Sequence, residues 1–296
     1  MSTIRLSALT EAEIQAERQR FPRVFSLSAK DRAIRIVGWG GGAAVLLYSL
    51  WRFGFFSEQF YGSIGKLAIM LGQMFPPTGW AQIGTFSDAI LETLAMAFIG
   101  SLVGGLVAVP LGFLAAKNMM PIRPIQFGFR RFADILRAAD YLIWGLIFVR
   151  AVGLGPLAGI MAIAIVDCGI LIVLYSEAIE NIDRKQIDGM KASGANRYQI
   201  IRFGVIPQVM PVLLANALYM FESNVRAATI LGIVGAGGIG FLLSDNLRAF
   251  EFSNACTIIL LIIGLVYCID YLSKRLRERF IQGDHVMQGA GTKEED

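Results

Sequence analysis

The sequence predicts an all-α integral membrane protein, and three observations carry that expectation. Its 296 residues are 55% hydrophobic and only 17% charged, where an ordinary soluble domain is about 25% charged, and the mean hydropathy is +0.58. So little polar surface cannot coat a globule, which makes lipid the expected solvent. Six apolar runs approach the roughly 20 residues that cross a bilayer as a helix. Lysine and arginine gather in alternate connections between those runs, the bias that sets orientation.

The opening stretch "MSTIRLSALTEAEIQAERQR" is polar and reads as a helical or frayed cytoplasmic tail without a signal peptide. The first span is expected over residues 34–53, "IRIVGWGGGAAVLLYSLWRF", and the second over residues 89–116. The third, over 136–149, is short and carries Asp140. The fourth covers 157–175, the fifth 205–222 and the last 255–272. Glycine and proline within these runs are no obstacle, because neighbouring helices can satisfy the freed backbone groups. The expected organisation is a cytoplasmic tail (1–33), a first transmembrane helix with an outer loop (34–88), a core transmembrane domain (89–280) and a disordered tail (281–296).

The amino-terminal tail holds Arg18, Arg20, Arg23, Lys30, Arg32 and Arg35. The second connection holds Lys117, Arg123, Arg130 and Arg131, and the fourth holds Arg184, Lys185, Lys191, Arg197 and Arg202. The last span runs into "SKRLRERF". The other connections are poorer, with Lys66, Arg150, Arg226 and Arg248. Every rich segment falls on one side, which places both termini in the cytoplasm. The basic residues flank apolar segments and form no continuous face, so nucleic-acid binding is not expected.

Residues 232–240, "GIVGAGGIG", contain the G-x-G-x-x-G of a dinucleotide cradle at Gly235, Gly237 and Gly240. That fingerprint requires a preceding strand within a βαβ unit. Here an apolar helical run precedes it and no βαβ pattern exists. Two readings remain for this turn, with Gly238 included. It is a helix-breaking turn where backbones pack closely, or that same turn serving as a gate between two subunits.

The fourth connection, residues 176–208, is too long and polar for a simple turn, yet rich in helix formers. Ile187, Met190 and Lys191 share a helical face, Gly194 lets the chain bend, and Pro207 stands near the start of the fifth span. Two short helices with a glycine elbow suit a knob that docks on a soluble partner. The spacing is similar to the coupling motif of ABC importer permeases, E-A-A-x-x-x-G with a proline thirteen residues on. Asp188, Gly189 and Met190 stand at the first three positions, Gly194 at the glycine, followed by Ala195, and Pro207 at the proline.

The segments "WGLIFVRAVGLGPLAGIMAIAI", "GANRYQIIRFGVIPQVMP" and "NVRAATILGIVGAGGIGFLL" extend that likeness, so that residues 89–280 resemble the phosphonate-type permease of ABC importers. The resemblance implies the type I importer fold, with about six transmembrane helices and a cytoplasmic coupling helix, in a bacterial inner membrane. It also implies a homodimer, two cytoplasmic ATPase subunits carrying ATP and Mg, and a periplasmic or lipid-anchored binding protein. The substrate it implies is a phosphonate or related phosphorus oxyanion, with a methionine-type permease as the alternative. The chain departs from the family pattern at Ala138–Tyr141 and at Val166–Asp167, both where the pathway should run.

An ionisable side chain within a span costs about 2.5–3.5 kcal/mol on the insertion scale, so it faces protein or water. Asp167 therefore either lines the pathway or bonds a neighbouring helix. Arg150 and Arg226 either draw an anion to the outer entrance or serve as an interfacial anchor and a Glu222–Arg226 pair. Glu92 is expected near the start of the second span, where a carboxylate favours the helix N-terminus. An ion-coupled secondary transporter using Asp167 and Asp140 is the competing class. Enzymatic chemistry is not expected. The only histidine, His285, lies in a polar tail, the cysteines Cys168, Cys256 and Cys268 fit no metal or redox spacing, and no G-x-x-x-x-G-K-[ST] is present.

Overall fold

The computed structural model describes residues 29–55 and 57–291; the tail before residue 29 and residues 292–296 lie outside the described residues. Among the described residues all regular structure is helical. The chain divides into two units, residues 1–71 and 72–296. In the first, α1 (Ala29–Arg52) contains a 20-residue apolar stretch whose side chains are unburied, and α2 (Glu58–Met74) begins after a short turn. The stretch read as an outer loop thus holds a 17-residue helix. Its apolar residues are interleaved with Gly62, Gly65 and Gly72, which dilute the periodic signal.

The second unit holds α3 (Ile83–Ala115), α4 (Arg123–Ala138), α5 (Tyr141–Val152), α6 (Pro156–Glu180), α7 (Arg184–Ala192), α8 (Ile206–Leu231), α9 (Gly238–Arg248) and α10 (Phe252–Gly291). With α1, four stretches here are long and apolar enough to cross a membrane: Gly79–Ala115, Pro156–Glu180, Arg197–Ala236 and Phe252–Leu276. The twelve-residue α5 is a shorter apolar helix. Six apolar helices were expected, and the third proves to be made differently from the rest. At about 1.5 Å per residue, α5 alone is near 18 Å long, too short for the roughly 30 Å hydrocarbon core.

The core is built along α3 and α6. Small residues on α3 let α6 approach closely, as helix pairs in lipid require. A Cβ on Gly100 would lie 2.7 Å from the Ile163 side chain, and one on Gly104 would lie 2.8 Å from the Ala164 carbonyl. Three apolar layers follow down this seam: Phe86, Ala89, Ile239 and Ile258; then Met96, Ala97, Ile163, Val225 and Leu231; then Leu171, Ile172, Tyr175, Val205 and Val209. The last helix continues past residue 280 to Gly291, where a disordered tail was expected.

Candidate functional site

The polar segment between α6 and α8 folds as a supported knob. Asp183 caps α7, its carboxylate accepting from the Lys185 N–H at 2.9 Å. After Ala192 the chain reverses at Gly194, whose φ is +79°, a left-handed conformation that favours glycine. The Gly194 and Ala195 amides return to the Lys191 and Met190 carbonyls at 3.0 and 3.1 Å. Asn196 and Gln199 then form a reciprocal capping box.

Ile187 and Met190 face inward; a Cβ on Gly204 would lie 2.9 Å from Met190 Sδ. Asp188, Gly189 and Lys191 are exposed, with Asp188 and Lys191 paired at 3.2 Å. Pro207 sits in the first turn of α8. Beside it, Gln208 accepts from the Asp183 N–H at 2.9 Å and donates to the Gly204 carbonyl at 2.7 Å, tying the start of α7 to α8. Arg197 donates to the Met119 carbonyl at 2.7 Å. A cavity of about 470 Å³ at the knob is lined by Asn118, Ile187, Asp188, Lys191 and Arg197.

The α3, α4 and α6 ends meet at one arginine. Arg130 donates from Nε to the Ala115 carbonyl at 3.2 Å and from Nη2 to Glu180 at 2.7 Å. Glu180 also accepts the Lys117 N–H at 2.7 Å. Gln126 Nε2 also donates to the Ala115 carbonyl at 3.0 Å, so the carbonyl at the end of α3 and the Glu180 carboxylate each accept two hydrogen bonds.

At the opposite end, α8 passes through a π-turn, Gly232–Ala236, into α9. Gly235, Gly237 and Gly238 have φ of +106°, +85° and +68°. Side chains have no room here: a Cβ on Gly232 would lie 2.6 Å from the Gly237 carbonyl, and one on Gly237 would lie 2.7 Å from Glu92 Oε1. The Ile239 N–H donates to Thr93 Oγ1 at 2.9 Å, and the Gly155 N–H to the Gly235 carbonyl at 3.0 Å. A cavity of about 430 Å³ over the turn is lined by Asp88, Glu92, Gly235, Gly237 and Gly238. Two carboxylates and an occupied amide suit no pyrophosphate. Glu92 lies well inside α3, which starts at Ile83 and has no acidic residue in its first turn, so its expected place at a helix N-terminus is corrected.

Residues 108–282, more than half of the chain, match the family described as binding-protein-dependent transport system inner membrane component. The chain belongs to that family. It is 40% identical over 220 residues to HtxC of Stutzerimonas stutzeri, a permease named for a phosphite transport system, covering 74% of this chain and 78% of HtxC. It is 34% identical over 238 residues to the phosphite transport system permease protein PtxC of the same organism, covering 80% and 86%. With the phosphate-import permease protein PhnE of Mycolicibacterium smegmatis it shares 37% over 209 residues, covering 71% of this chain and 39% of PhnE. The structure of the inward-facing MetNI methionine ABC transporter aligns with a TM-score of 0.60 at 22% identity, over 69% of this chain and 99% of that one. This is the ABC importer permease fold, in a multi-pass, non-catalytic subunit of the inner membrane.

Within this permease the other expected residues separate. Asp167 is fully buried between helices. It accepts from Asn224 Nδ2 of α8 and from Tyr141 Oη of α5 at 3.2 Å, and the same Asn224 amide donates to Ser101 Oγ of α3 at 2.7 Å. Four helices thus share one polar centre. Asp140 is not inside a helix; it caps α5, accepting from the Tyr141 N–H at 2.8 Å. Arg150 is exposed in the last turn of α5. Arg226 is not in a connection either, because α8 continues to Leu231, and it pairs with Asp270 of α10 at 3.1 Å. Asn224, Ser101 and Thr93 were missed, because neutral polar residues in apolar runs carry no sequence signal until a partner helix faces them, and Arg130 was read only as one of the basic residues of a connection.

Proposed function

We propose that this permease is the transmembrane subunit of an ATP-driven importer for phosphorus oxyanions, phosphite or a phosphonate. The observation that carries the substrate class is its likeness, over most of both chains, to permeases named for phosphite transport. Two copies form the translocation unit. Two ATPase subunits dock on the exposed face of α7, around Asp188, Gly189 and Lys191, and a binding protein delivers the anion at the glycine-turn end. Both termini and the knob are cytoplasmic.

ATP and Mg belong to the ATPase chains. Their closure presses on α7, and two links carry that push into the spans: Gln208 between Asp183 and Gly204, and Arg197 to the loop after α3. The membrane helices switch from inward-facing to outward-facing, and the glycine turns of the two copies part. Asp167 acts as the polar centre about which α3, α5, α6 and α8 stay registered.

The test is reconstitution in lipid with the co-encoded ATPase and binding protein. Phosphite or methylphosphonate, offered with the binding protein, is expected to stimulate ATP hydrolysis. Stimulation by methionine and not by either phosphorus anion would overturn the substrate class. Gly194→Val places a β-branched residue at φ +79° and is expected to reduce ATPase co-purification several-fold; full retention would remove α7 as the docking element.

A further inference from the structure

The helix α4 is strongly two-faced, and its polar face lies at an unexpected depth. Ala133 is buried against α6: a Cβ on Gly169 would lie 2.9 Å from both the Ala133 carbonyl and the Arg137 N–H nitrogen. Gly169 lies near the middle of α6, which at about 1.5 Å per residue is close to 37 Å long. Immediately after α4, Tyr141 bonds Asp167, also mid-way along α6. Trp144 of α5 reaches back to the Leu136 carbonyl at 3.1 Å. Helices α4 and α5 are therefore the two halves of one broken crossing, interrupted at Ala139–Asp140 near mid-membrane. In secondary transporters, helices broken near the midplane hold the cargo.

On the inner half of that crossing, two guanidiniums share one carboxylate. Arg137 Nη2 meets Asp134 Oδ1 at 2.7 Å and Arg131 Nη1 meets Asp134 Oδ2 at 3.0 Å. Their side chains are 60% (Arg131), 45% (Arg137) and 29% (Asp134) exposed. Neighbouring Arg130 is spent on Glu180 and Ala115. Arg137 lies at the level of Gly169, where an ionised Arg137–Asp134 pair cannot face lipid at reasonable cost. Arg131, beside Arg130, lies nearer the ends of α3 and α6, and the group carries one net positive charge.

We infer that Arg131, Asp134 and Arg137 face the aqueous transit path and form a transient station for the imported oxyanion. The inference rests on the phosphorus-oxyanion reading above. A guanidinium fork matches two oxygens of a phosphite or phosphonate. Asp134 holds the forks when the station is empty and competes with the anion when it is filled. That competition keeps binding weak enough for release, as conduction through a multi-site path demands.

Two measurements test this on the full transporter. In a Cys268→Ser background, where Cys168 and Cys256 are buried, Arg131→Cys is expected to react with the membrane-impermeant anion sulfonatoethyl methanethiosulfonate in inside-out vesicles. Absence of reaction would mean that this face meets lipid or the second copy, and would overturn the station. In cells, Arg131→Gln/Arg137→Gln is expected to lower phosphite uptake at least tenfold while the ATPase still co-purifies, with Arg131→Lys/Arg137→Lys recovering only part. Wild-type uptake by the Gln pair would overturn the station alone. A wild-type transporter that carries no phosphorus anion would instead overturn the functional reading.

Discussion

Gly240 and Gly128 show how position decides the effect of the same substitution. A methyl group on Gly240 would overlap the Thr229 carbonyl, whereas nothing lies within 4 Å of the corresponding position at Gly128. Gly240→Ala is expected to cost at least about 1–3 kcal/mol through forced backbone shifts, read as a lower midpoint of thermal unfolding in detergent. Gly128→Ala, on an open face of α4, is expected to raise the midpoint, by about 0.5–1 kcal/mol of helix stability. Asp167 poses the complementary case. Asp167→Ala leaves the buried Asn224 amide with Ser101 as its remaining acceptor and takes the acceptor from the half-buried Tyr141 hydroxyl, at about 1–3 kcal/mol for an unsatisfied buried group. A monodisperse variant with wild-type thermal stability would show that the four helices do not depend on this centre.

Among the elements, the knob and the broken crossing differ in how much the sequence discloses. The knob is local: Asp183, Gly194, Asn196 and Pro207 are a cap, a left-handed turn, a second cap and a first-turn proline, each acting within a few residues. Asn196→Ala removes the capping box and is expected to weaken the base of the knob by about 0.5–2 kcal/mol, seen as faster hydrogen exchange over residues 196–205. The crossing is not local. A run over 136–149 was expected as one span, but Asp140 caps a new helix, and the membrane depth of α4 is fixed by Gly169 on another element. Charge near Arg130 and Arg131 marked that stretch as a connection, although it packs on α6 as a helix.

For the whole molecule, the alternation of basic connections predicts which surfaces meet the cytoplasm. Ser193→Cys, on the exposed end of α7, is expected to react with an impermeant thiol reagent in inside-out vesicles and to be protected by the bound ATPase. Reaction only in right-side-out cells would invert the proposed topology. Composition, the all-helical membrane class and the glycine and proline punctuation of the knob and glycine turn follow from the sequence by itself. Lipid solvation imposes apolar runs of set length, and caps and left-handed glycines act over a few residues. Only the tertiary structure decided that Asp167 joins four helices, that Arg226 pairs with Asp270, that Glu92 sits under Gly237, and that α4 and α5 both meet the middle of α6. The physical reason is the same in each case. A polar side chain in a span must find its partner on a different helix, and which helix that is depends on packing between segments far apart along the chain.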